Sequence, residues 1–260
     1  MMGKTNNLKS YKVHSLERGL DLLELLADSA REMSLSELSK EANFNASTSH
    51  RILDALKSRN YVRQNPTTSA YSLTFKLFEL SNKIGWEKAL RLEALEILRQ
   101  LADKAKDSAY LIVKDGDDAL CLERIDGNPH IRVLALEKGS RMPLHVGAGP
   151  KAILAYLPET EIDRIIRVKG LEAWTANTIT NPIQLKTDLN NIREVGYALS
   201  PQDATVGVCA VGCPVRKIDG EVIAAVSIAG MANNYTEDKL PPLIEMVRSA
   251  AQSLSDQIQK

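Results

Sequence analysis

With 260 residues, 44% of them apolar and 25% charged, the chain has the composition of a globular protein and is long for one hydrophobic core, so two domains are expected. No run approaches the roughly 18 consecutive apolar residues that a membrane span requires, and the polar stretch from Met1 to Ser10 is unlike a signal peptide. A cytoplasmic protein with no membrane partner is expected. Cys121, Cys209 and Cys213 are too few and too scattered for a disulfide framework, which fits a reducing compartment. The formal net charge of zero hides an asymmetry: residues 1–85 carry 12 basic and 9 acidic side chains, a balance of +3 that the remainder offsets. Phosphate binding needs such a local excess, so nucleic acid is sought in the first third.

Val13, Leu16, Leu20, Leu23 and Ala27 recur at helical spacing behind Ser15, a good N-cap, and predict a first helix ending near Ser29. Ser34 followed three residues later by Glu37 is a capping box and starts a second, short helix. Asn43-Phe44-Asn45 breaks the pattern, and a third helix follows from Ala46 to Ser58 with Ile52, Leu53 and Leu56 on one face. Tyr61 to Gln64 and Ala70 to Leu73 are β-prone and flank Asn65-Pro66-Thr67-Thr68-Ser69, so they read as a hairpin. Two short helices, a tight turn and a hairpin make a winged helix-turn-helix. In that motif the second helix enters the major groove with short polar side chains near its start. Ser47, Thr48, His50 and Arg51 are therefore the candidates for DNA contact, Lys57 and Arg59 for phosphates, and Asn65, Thr67 and Thr68 for a wing that touches the backbone. A winged helix that docks a protein partner is the alternative these residues leave open.

Helical spacing continues from Thr74 to about Lys106 with a break near Gly85, which suggests linker helices and divides the chain into domains 1–85 and 86–260. β-prone runs at Tyr110–Val113, Ala119–Arg124 and His130–Leu136 are joined by turn sequences and predict an antiparallel meander. Helices are expected over Pro150–Tyr156, Glu159–Val168 and Ile183–Glu194. Strands follow near Tyr197, over Val211–Lys217 and over Val222–Ile228, and a last helix spans Glu237–Ile258. This order predicts an α+β domain with helices packed on one sheet. Gly147-Ala148-Gly149-Pro150 opens a helix, where free backbone N–H groups attract an anion such as a carboxylate; an ordinary tight connection is the plainer reading.

Three segments resemble the IclR family of bacterial transcription regulators: Leu16-Glu17-Arg18-Gly19-Leu20-Asp21-Leu22-Leu23, then Ser47-Thr48-Ser49-His50-Arg51-Ile52-Leu53, and a set spread over the second domain. That set comprises Pro143 to Ala152, Gly196-Tyr197-Ala198, Val206 to Val215 and Ala224 to Ile228. The chain departs from the family pattern at Ala70, Pro150 and Asp203. The resemblance implies a GAF-like effector-binding domain, a homodimer or tetramer on double-stranded operator DNA, and repression or activation tuned by a small carboxylic acid. It places Ala148, Gly149, Asp203, Val211, Cys213 and Ser227 around the effector, with Ser227 and the backbone donating and Asp203 accepting.

Cys213, His145 and Asp203 supply the parts of a nucleophilic triad, yet no spacing supports one, and a buried Cys is most often a small hydrophobe. Strand alternation puts Cys209 and Cys213 on one face but out of bonding range. The four histidines form no metal-ligand pattern. The chain is therefore expected to be no enzyme and to need no cofactor or metal.

Overall fold

The computed structural model describes residues 13–29, 31–81, 85–127 and 136–259. The chain divides into two compact units, residues 1–85 and 86–260.

The first unit holds α1 (His14–Asp28), α2 (Leu35–Glu41) and α3 (Ala46–Ser58), the hairpin β1 (Val62–Gln64) and β2 (Tyr71–Leu73), and α4 (Lys76–Ser81). Its core joins Leu22 and Leu26 of α1 to Met33, Leu38, Leu53, Val62 and Tyr71. Met33 bridges backbone to Tyr71, which ties the approach to α2 onto the hairpin. The capping box forms: Ser34 Oγ accepts from the Glu37 N–H at 3.2 Å, and Glu37 Oε2 accepts from the Ser34 N–H at 2.8 Å. Asn43, at the turn after α2, takes a left-handed φ of 55°, which asparagine tolerates better than most residues.

Two expectations for α1 are corrected. The helix starts at His14, with Val13 at the cap position and no side-chain cap, so Ser15 lies inside the helix. The stripe that meets the core is Gly19, Leu22 and Leu26, whereas Val13, Leu16 and Leu20 are 53%, 61% and 49% exposed. The helix has two apolar stripes, and helical periodicity alone does not tell which one is covered.

In the second unit, α5 (Gly85–Ala105) leads into β3 (Ser108–Asp115), β4 (Asp118–Ile125) and β5 (Arg141–Pro143), followed by α6 (Ala148–Leu154), α7 (Glu159–Lys169) and α8 (Pro182–Val195). The chain closes with β6 (Ala198–Pro201), β7 (Val208–Arg216), β8 (Val222–Met231) and α9 (Leu240–Gln257). The six strands form one antiparallel sheet in the order β5-β4-β3-β8-β7-β6. Tyr110, Ile112, Ala225 and Ala229 meet α6, α7 and α8 on one face. Leu111, Val113, Val211, Cys213, Val215, Val226 and Ile228 meet α5 and α9 on the other. β5 was not expected from the sequence, because three residues are too few to show alternation. The strand expected over His130–Leu136 lies outside the described residues except for Leu136.

Hydrogen bonds from the Ser34 backbone and hydroxyl and from Arg31 hold the Glu37 carboxyl down to about 2. Ser34→Ala is expected to lower stability by about 0.5–2 kcal/mol in urea unfolding at neutral pH. The carboxylate contribution is complete above the ordinary value of 4.5 and fades as the pH falls towards 2, so the gap between parent and variant should narrow over that window.

Candidate nucleic-acid interface and ligand pocket

Asn45 organises the start of α3. Its Oδ1 accepts the Thr48 N–H at 2.8 Å and the Ser47 hydroxyl at 2.9 Å, so one uncharged cap fixes the first turn. Leu53 and Ser49 turn inward, and Ser47 and Arg51 are exposed. Arg51 makes no ion pair with any described residue, which leaves its guanidinium available to an anion. His50 lies 3.2 Å and Lys57 3.0 Å from the Asp54 carboxylate, and Lys57 also donates to Gln64 of β1 at 3.3 Å. These two expected contacts are thus partly engaged within the unit. Asn65 Oδ1 accepts the N–H groups of Thr67 at 2.9 Å and Thr68 at 3.3 Å and so shapes the hairpin tip, where both threonines are exposed. Asn45 was missed as an organiser, although an asparagine just ahead of a helical run is the signal that finds it.

In the second unit a small cavity of about 40 Å³ lies between α6 and the sheet. Tyr110, Ile112, Met142, Val208, Ala210 and Ser227 line it together with Ala148 and Gly149. The approach of α6 to the sheet is possible because Gly212 has no side chain: a Cβ there would stand 2.7 Å from the Ala148 carbonyl carbon and the Gly149 nitrogen. Gly147 precedes the helix with a φ of 82°, a conformation that favours glycine. Among the described residues the N–H groups of Ala148 and Gly149 have no backbone acceptor and Ser227 Oγ makes no hydrogen bond, although Ser227 is 3% exposed. The residues that carry these three donors all line the one largely apolar cavity. Burial pushes the Tyr110 phenol at its edge up to about 12, so the ring stays neutral.

Of the six residues expected around an effector, Ala148, Gly149 and Ser227 line this cavity. The other three lie elsewhere. Val211 and Cys213 point to the α5 and α9 face, because residues of one parity on β7 share a side of the sheet; Val208 and Ala210 face the cavity instead. Asp203 is 2% exposed and already engaged. Its Oδ1 accepts the Gly147 N–H at 3.2 Å and the Ser200 hydroxyl, and its Oδ2 lies 3.0 Å from Lys151 Nζ. The Lys151 ammonium is 3.2 Å from Asp188 as well. His145, 4% exposed, donates from Nε2 to the Glu172 carbonyl at 3.0 Å, and burial holds its imidazole below the usual value. Cys213 is buried and burial pushes its thiol up to about 12, the reverse of what a nucleophile needs.

Residues 15–66 match the IclR helix-turn-helix domain, and residues 87–256 match the bacterial transcriptional regulator IclR C-terminal domain. The chain belongs to the IclR family of bacterial transcription regulators. Over 246 residues it is 30% identical to the acetate operon repressor of Salmonella typhimurium, covering 94% of this chain and 89% of that one. It is 28% identical over the same length to the transcriptional repressor IclR of Escherichia coli, again covering 94% and 89%. The crystal structure of Thermotoga maritima IclR is 25% identical and superimposes with a TM-score of 0.79, covering 96% of this chain and 100% of that one. An IclR homologue from Microbacterium hydrocarbonoxydans, complexed with 4-hydroxybenzoate, shares the fold at 23% identity and a TM-score of 0.82, covering 94% and 98%. The IclR family is one of regulators and not of enzymes, and this member is a DNA-binding transcriptional regulator. Among the described residues no helix is long and apolar enough to cross a membrane.

Lys151→Met leaves the buried Asp203 carboxylate without its cation and is expected to cost about 3–5 kcal/mol in denaturant unfolding. Adding Asp203→Asn should recover part of that loss. An unchanged midpoint for the single variant would show that the buried pair does not hold α6.

Proposed function

We propose that this IclR regulator reads an operator through α3 and the hairpin of residues 1–85, and that residues 86–260 adjust this grip on binding a small carboxylic acid. The observation that carries the effector half is that Ala148, Gly149 and Ser227, whose N–H and hydroxyl donors have no partner among the described residues, line one apolar cavity. Three donors suit two carboxylate oxygens, and the surrounding Ile112, Met142, Val208 and Ala210 suit an apolar body. The shared fold with a homologue holding an aromatic acid supports the same class.

A cavity of about 40 Å³ has room for little more than water, and ligand pockets typically measure about 300–1,000 Å³. An acid enters only as the walls part, so binding selects an opened form of the domain. That difference between two states is what coupling to operator affinity requires, typically about 1–3 kcal/mol.

In the DNA-binding half, Arg51 and Ser47 face outward from α3, with Thr48 beside them and Thr67 and Thr68 at the hairpin tip. His50 and Lys57 contribute once Asp54 releases them. The regulator acts as a homodimer or a dimer of dimers on a roughly palindromic site. Uncovered apolar side chains of the first unit support self-association: Leu16 and Leu20 on α1, Phe75, and Phe78 on α4, the last two 82% and 63% exposed.

Arg51→Ala is expected to weaken specific operator binding by about 1–3 kcal/mol in fluorescence anisotropy at fixed salt. Equal affinity for native and shuffled upstream DNA across a salt series would overturn the operator reading. Ser227→Ala should leave operator affinity intact and lower the concentration response to the acid that shifts it by about tenfold, the worth of one hydrogen bond to a charged group. An unaltered response would remove Ser227 from the site.

A further inference from the structure

A second cavity, of about 390 Å³, opens where the end of α5, the start of β3 and the segment between β8 and α9 meet, and it shares Ala229 with the pocket beneath α6. Its walls include Asp107, Lys106, Asn234 and Lys239, over an apolar floor of Ala105, Met231, Pro242 and Leu243.

Asp107 is set into this wall by its neighbours. A Cβ built on Gly230 would collide with the Asp107 carboxyl group, and one on Gly127 would collide with the Asp107 backbone. Neither glycine has a φ that demands glycine, so the requirement at both positions is for space. The Tyr235 hydroxyl donates to Asp107 Oδ2 at 2.9 Å, which orients the carboxyl group. Oδ1 has no hydrogen bond and no cation facing it from any described residue. Burial, opposed by the Tyr235 hydrogen bond, pushes the Asp107 carboxyl above its ordinary value, the behaviour of an acid that lacks its counter-ion. Lys106 and Lys239 line the same cavity and form no ion pair with a described residue; Asp238, the other acid there, accepts from the Thr236 hydroxyl at 2.6 Å, and that bond, with the neighbouring Lys239, holds its carboxyl below the ordinary value.

We propose that this cavity is a second ligand site, distinct from the pocket beneath α6, and that it takes a small zwitterion with an aliphatic body. The ammonium group pairs with Asp107, the anionic group faces Lys106 and Lys239, and the chain lies on Pro242 and Leu243. The anchored acid, the two lysines and the apolar floor each match one part of such a molecule, whereas a simple carboxylate would set its charge against Asp107.

Isothermal titration of the full-length protein with norleucine, hexanoate and hexylamine tests this. Norleucine is expected to bind saturably at one site, more tightly than hexanoate, which lacks the ammonium group. Asp107→Asn keeps the shape that fits over Gly230 and the acceptor for Tyr235, so the fold is retained, and it should weaken norleucine by about tenfold or more. Lys239→Gln, at an exposed position, should weaken norleucine and leave hexylamine unchanged. Ser227→Ala should not alter norleucine binding, which separates this site from the proposed effector pocket. The proposal fails if norleucine gives no saturable heat up to about 20 mM, a concentration above which affinity is negligible. It fails equally if Asp107→Asn changes its affinity less than twofold, or if Ser227→Ala abolishes binding.

Discussion

Burying an ammonium ion is costly unless carboxylates meet it, and Lys151, with 3% of its side chain exposed, draws Asp188 of α8 and Asp203 of the β6–β7 connection towards one point on α6. Asp203 then has geometry to spare for the Gly147 N–H, and so fixes the residue from which α6 starts. The Thr178 hydroxyl adds a 2.6 Å bond to the Asp203 carbonyl, which attaches the 175–178 turn to the same loop. Through these few polar contacts the helix is held flat on Gly212, and the cavity exists because α6 has that one placement. The acid expected to greet a ligand is instead the acid that builds the wall.

Much of the architecture was legible because local rules agree with each other. The Ser34 and Glu37 box, the Asn43 turn, the hairpin bounded by Asn65 and Ser69 and the long apolar runs of β7 and β8 are each set by neighbours in sequence. The site was legible only in part, and the reason is parity. A strand buried on both faces offers no polar alternation to say which side chains face α6; the resemblance alone puts Val211 and Cys213 at the effector, and both pack on the α5 and α9 face. Gly212 was the available clue, since a helix approaches a sheet closely where a side chain is absent, and its neighbours of the same parity, Ala210 and Pro214, mark the α6 face. The outcome for α1 has a similar cause: Leu20 and Leu22 both continue a helical stripe, and only tertiary packing selects Leu22.

The sheet also partitions the domain chemically. On the α6 side β7 and β8 carry small residues, Ala210, Gly212, Ala225 and Ala229, with Ser227 among them, and leave a cavity of about 40 Å³. On the α5 and α9 side the alternate positions are Val211, Val215, Val226 and Ile228, all buried against those helices. Alternation along two adjacent strands thus puts small side chains on one face and large ones on the other.

The central strand pairing has a consequence in time. β3 finds its partner in β8, with Ser108 opposite Ala229, so the middle of the sheet cannot close until nearly the whole sensor sequence is available. The three helices and hairpin of the first unit close over much shorter loops, which favours fast assembly. At bacterial translation rates of about 5–20 residues per second, the stretch between those two strands takes on the order of 10 s to synthesise. A nascent chain therefore holds a winged helix able to fold while the sheet of the second unit is still being made. The edge of β3 that meets β8 and the apolar faces of the β3–β4 hairpin wait uncovered during that interval, and chaperone demand for this regulator should centre there.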